Sequence, residues 1–144
     1  MRYIFITLVL LVAGSTISLA QCDKKVTLTS SKTQHLDANG ALKSADDENT
    51  VIKFDKTTID ISISGQHGDI AMTGKINSDT CDWKVPFKDG KTTLHTTLNN
   101  SGGESRDYDV TIIAKDGKIT LTASSKDDPD DIIKLNIDKF EEIK

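Results

Sequence analysis

Residue types that carry most protein chemistry are scarce in this chain. Aromatic residues make up 5% of its 144 residues, with a single tryptophan, and it has only two prolines, two cysteines and three histidines. The histidines, His35, His67 and His95, stand in no tight ligand spacing such as H-x-H or H-x-x-x-H, which argues against a zinc centre. Serines before glycine, at Ser64-Gly65 and Ser101-Gly102-Gly103, lack the G-x-S-x-G frame of a nucleophile elbow and read as turns. No nucleotide-binding motif is present either, so the sequence implies no cofactor, no metal and a non-enzymatic protein. An excess of basic charge is also missing: 18 Lys and Arg face 22 Asp and Glu, a net of −4. That balance suits solubility and argues against nucleic acid or an anionic membrane as the main partner.

The one long apolar run lies at the start. Arg2, the apolar stretch from Ile4 to Ala13, and Ser18-Leu19-Ala20 before Gln21 have the order of a secretory signal peptide over residues 1–20. The run is too short for a permanent membrane helix, so no integral span is expected after cleavage. Residues 21–144 then form one domain, secreted or periplasmic, with enough chain for a single core. Cleavage removes only Arg2 among the charges, leaving 17 basic against 22 acidic residues and a net of −5.

Both cysteines, Cys22 and Cys81, follow the cleavage point, and an even count in an exported chain points to a disulfide. Such a bond would tie the N-terminus to mid-chain and stabilise by about 3 to 4 kcal/mol on the loop-entropy model. Two alternatives stay open: free thiols, or a lipid anchor on Cys22. Leu19-Ala20-Gln21-Cys22 has the outline of a lipobox, but Gln21 stands where a small residue is usual.

Period-2 alternation recurs along the mature chain. Val26 and Leu28 alternate with Thr27 and Thr29, and Ile59, Ile61 and Ile63 with Asp60 and Ser62. The pattern continues through Ile70, Met72 and Ile76, with Gly74 at one inward place; Cys81, Trp83, Val85 and Phe87; Leu94 to Leu98; Tyr108, Val110 and Ile112; Ile119, Leu121 and Ala123; and Ile133, Leu135 and Ile137. Val51 to Phe54 adds a strand, and Gln34 to Ser44 suits a hairpin about Asn39-Gly40. Short turns at Gly65, Gly68, Gly90, Gly103 and Gly117 join neighbours directly, so the chain reads as an antiparallel meander of roughly nine or ten strands. One apolar face must be buried. The fold class is therefore all-β, with a closed or partly open barrel preferred because closure removes the edges, and a two-sheet sandwich as the alternative.

In length, export and consecutive hairpins the mature chain resembles the calycin group, the lipocalins and fatty-acid-binding proteins, whose barrels enclose an apolar ligand. The likeness is one of architecture. Lipocalins carry Gly-x-Trp in the first strand, whereas the stretch Lys25 to Ser31 has no tryptophan and the lone Trp83 lies in Cys81-Asp82-Trp83. No binding residue is carried over from it. The chain is similar also to small exported β-proteins of Gram-negative bacteria.

Two functions are compatible with these features. One is a binding protein holding a small apolar or lipid-like ligand in its barrel, or meeting a protein partner along its sheet. The other is a structural or interaction domain with a filled core. For the first, the expected cavity wall is Trp83, Val85, Phe87, Tyr108 and Ala123, with Phe54 and Phe140 approaching the aromatic set. The acidic runs Asp46-Asp47-Glu48 and Asp127 to Asp131 read as solvated turns, lacking the register of a calcium loop. Asp107 and Asp109 fall on an outward, solvated face.

Overall fold

The computed structural model describes residues 22–144; the expected signal peptide, residues 1–20, and Gln21 lie outside the described residues. Nine strands follow one another: β1 (Lys25–Leu36), β2 (Leu42–Phe54), β3 (Thr58–Gly65), β4 (Gly68–Val85), β5 (Asp89–Asn100), β6 (Ser105–Lys115), β7 (Lys118–Ser125), β8 (Ile132–Ile137) and β9 (Lys139–Ile143). Each of β1 to β7 pairs antiparallel with the next, and β1 pairs with β8, so the meander closes into an eight-stranded barrel. The extra strand β9 runs along the first half of β1, while β8 takes the second half. The closed barrel, not the sandwich, is the solution adopted.

Alternation explains why these segments are strands and which way they face. Along β5, Thr92, Leu94, Thr96 and Leu98 are buried while Thr93, His95 and Thr97 are only half-buried. Cross-strand partners keep the same parity: Ile52 opposes Ile61, Ile61 opposes Met72, Val110 opposes Ala123, and Leu121 opposes Leu135. The outer wall carries Asp60, Ser62, Thr73, Lys75 and Asp107, all exposed. That is opposite in sense to a membrane barrel, which turns its apolar residues outward.

Three expectations change. The hairpin about Asn39-Gly40 has arms continuous with the flanking strands, so Gln34 belongs to the end of β1, and Ser44 and Val51 both belong to β2. The stretches Gly68–Ile76 and Cys81–Val85 are one 18-residue strand, β4, with a register shift between Ile76 and Ser78 that absorbs an extra residue and preserves the inward face. A second shift between Trp83 and Val85 ends the alternation, so Val85 does not share a face with Trp83; it is 47% exposed.

The two ends of the barrel differ. At the end holding Cys22, Trp83 and Phe87 lie with ring centroids 4.8 Å apart, and Phe140 of β9 stacks on Phe87 at 4.4 Å. Val26, Leu28, Phe54, Leu94, Ile112 and Ile119 fill the remaining space. Cys22 and Cys81 are joined by a disulfide with a Cα–Cα distance of 6.2 Å, pinning the chain start onto β4 beside this plug. The sulfur that a lipid anchor would need is thereby taken.

Candidate functional site

An eight-stranded barrel is just wide enough to be filled by side chains or to hold one small ligand. Here the plugged half is filled by side chains, and the other half leaves an open space. Beyond Leu98, Val110 and Leu121 the inward residues become smaller or aliphatic: Thr33 and Thr50, Ile59, Ile61 and Ile63, Met72, Ala123, Ile133 and Leu135. They enclose a cavity of about 370 Å³, within the range of small-molecule sites, about 300 to 1,000 Å³. Its mouth opens between the β1–β2, β3–β4, β5–β6 and β7–β8 connections, at the end away from the disulfide.

Polar groups gather at that mouth. Thr33 and Thr50 face each other across β1 and β2 with their hydroxyls 3.3 Å apart, both buried. His35 Nδ1 lies 3.1 and 3.2 Å from the two carboxylate oxygens of Asp131, which holds the β7–β8 connection against the end of β1. Lys43 Nζ donates to the Asp130 carbonyl at 3.3 Å and joins the same knot. His67, at the β3–β4 tip, places Nε2 3.9 Å from Asp46 Oδ1. Asp46 and Glu48 both line the cavity. They therefore do not form the solvated turn expected from Asp46-Asp47-Glu48; that stretch is strand, and residues 46 and 48 share the inward parity of Thr50 and Ile52.

Of the expected wall, Tyr108 and Ala123 line this cavity. Trp83 and Phe87 do not: they border only a crevice of about 10 Å³ beside the disulfide, room for about one water. The Trp83 Nε1–H has no hydrogen-bond partner there. Val85 points away from the interior, and Phe54 and Phe140 belong to the plug. Sequence reasoning missed the isoleucine set of β3 and β4 as a cavity wall, and it missed the mouth residues His35, Asp46, Glu48 and His67. Counting back by twos from Ile52 through Thr50 would have reached both carboxylates.

Outside the barrel, His95 Nδ1 bonds to Asp109 Oδ1 across β5 and β6, on the outward face expected for Asp109. Among the described residues no group of three His, Cys, Asp or Glu side chains is placed to hold a metal ion, and no helix is long and apolar enough to cross a membrane. Comparison with protein-family models, with curated proteins and with solved structures finds no match to this chain.

Proposed function

We propose that this protein is an exported, non-enzymatic barrel that carries a small apolar or lipid-like molecule in the open half of its interior. The observation that supports the reading is the division of the interior: aromatic side chains plug one half, and a cavity of about 370 Å³ walled by Ile59, Ile61, Ile63, Val110, Leu121 and Leu135 occupies the other. A core selected only for stability would close such a space, since each unfilled volume forfeits packing contacts. Polar groups stand at the mouth and not deep in the cavity, the distribution of a holder more than of a catalyst. Export is supported by the Cys22–Cys81 disulfide, a bond of oxidising compartments, and by the signal-like residues 1–20.

Calorimetric titration of the disulfide-bonded protein with alkanols, fatty acids and sterols tests this. Saturable binding with a negative heat-capacity change, and a melting temperature that rises with ligand concentration, is the expected result. A panel that gives neither overturns it. Trp83 fluorescence is a poor reporter, because the indole sits at the plugged end.

A further inference from the structure

We propose that the occupant of the cavity is an amphipathic cation: an apolar chain or ring bearing an amine, with the charged head at Asp46 and Glu48 and the apolar part inside. This rests on the reading of the cavity as a ligand site and adds the sign of the ligand's head.

The walls of the cavity are apolar except near the mouth, where the carboxylates of Asp46 and Glu48 stand with two histidines, His67 and the Asp131-bound His35; among the described residues no Lys or Arg lines it. The two carboxylates stand two residues apart on the inner face of β2, about 7 Å along the strand. Both are half-buried, so a charge between them is less screened than on an open surface. Opposite Glu48 on β3 is Gly65, where an added Cβ would lie 2.8 Å from the Glu48 Cβ; without a side chain there, β3 leaves the inner side of Glu48 uncovered.

A carboxylate facing an apolar cavity is stabilised by a cation brought by the ligand and opposed by an anion. The protein's own nearby cationic groups are engaged elsewhere or weakly placed. Lys43 bonds to the β7–β8 connection, Lys32 pairs with Asp47 at 3.4 Å on the outer face, and His67 reaches only to 3.9 Å from Asp46. Arg106 shares the inward parity of Tyr108 on β6, opposite Leu98, but lines an adjoining recess beside Met72, Leu98 and Tyr108 that also contains Glu104, a carboxylate available to offset its charge. A fatty acid would therefore set its head beside two like charges, whereas an alkylammonium would complete the pair.

The test is a calorimetric comparison of dodecylamine, dodecanol and dodecanoate, each below its aggregation concentration, on the disulfide-bonded protein. Dodecylamine is expected to bind at least about tenfold more tightly than dodecanoate. The variant Asp46→Asn/Glu48→Gln should lower dodecylamine to the level of dodecanol while leaving dodecanol unchanged, which also reports that the variant is folded; each single variant should show part of the loss. The exposed, outward Asp60→Asn should change nothing. Dodecanoate binding as tightly or more tightly, with Arg106→Gln removing that advantage, would overturn the proposal and make the head an anion. Amine binding untouched by Asp46→Asn/Glu48→Gln would overturn it as general attraction to an acidic protein. Dodecanol binding with no preference for charge refutes the cation alone, whereas no binding by any of the three refutes the cavity reading itself.

Discussion

Asp138 and Ser31 hold the seam of the barrel: the Ser31 backbone N–H donates to Asp138 Oδ2 at 2.7 Å, and the Asp138 N–H donates in turn to the Thr29 carbonyl at 2.8 Å. Asp138 is the single residue between β8 and β9, opposite the place where β1 shifts register between Ser30 and Lys32. The buried Ser30 hydroxyl lies 2.8 Å from the Asn136 carbonyl and 2.9 Å from that of Lys32, so the irregular backbone on both sides is satisfied. This junction lets β1 exchange one partner for another midway. The first half then brings Phe140 onto the aromatic plug, and the second half closes the open end with β8.

Acid should loosen this seam and one loop together. The Ser31 hydroxyl, then its N–H, holds the Asp138 carboxyl below its ordinary value of 3.8, and the N–H groups of Thr57 and Thr58 do the same for Asp55. A carboxyl whose pKa is lowered by folding contributes stability that is present above the ordinary value and lost as pH falls through the folded one. Melting temperature should therefore be flat from neutral pH to about pH 5 and decline below about pH 4. Asp55→Ala/Asp138→Ala should melt lower at neutral pH and lose less on acidification. Equal acid declines in variant and parent would count against it.

Replacing Cys22 and Cys81 together by serine should leave a β-rich, folded protein. The bond closes a separation of 59 residues, and its loss should cost about 4 kcal/mol on the loop-entropy model. Urea unfolding of the two forms measures the difference, and a loss below about 1 kcal/mol would show that the plug holds the segment around Cys22 without help.

Gly74 and Gly40 should respond differently to alanine. A Cβ at Gly74 would fall 2.2 Å from the Thr97 carbonyl oxygen and 2.9 Å from Leu98 Cδ2, so β4 and β5 must part. A loss of about 3 kcal/mol is expected. At Gly40 there is nothing within 4 Å, but φ is +82°, so only the left-handed backbone penalty of about 1 to 2 kcal/mol applies. Thermal unfolding of both variants should rank them in that order, and the reverse ranking would refute the close approach.

Much of the fold was legible because period-2 alternation and glycine turns act locally. Ile59-Asp60-Ile61-Ser62-Ile63 can be little else than a half-buried strand, and its neighbours follow at hairpin distance. The cavity was not legible in the same way. Whether Trp83 or Tyr108 borders empty space depends on how high each sits in the barrel, and two register shifts in β4 set that height. The shift after Trp83 also turned Val85 out, against its alternation. Asp46 and Glu48 were hidden by Asp47 between them, because three acids in a row look like a solvated turn even when every second one faces inward.

Filling the cavity separates a carrier from an imperfectly packed core. Ala123 lines the cavity on β7 opposite Ile133 and Val110, and a phenylalanine there would project into the space without touching the plug. If the space serves a ligand, Ala123→Phe should abolish binding of any dodecyl compound that the parent holds, with stability kept within about 1 kcal/mol because the new ring occupies existing volume. The matching change at the plugged end, Ala114→Phe, has no such room, since Ala114 is 2% exposed within the core. It should overpack and lose about 1 to 3 kcal/mol or more. Denaturant unfolding of the two variants, beside titration of the first, decides the matter: an Ala123→Phe protein destabilised as much as Ala114→Phe would mean that the open half closes around its own side chains in solution.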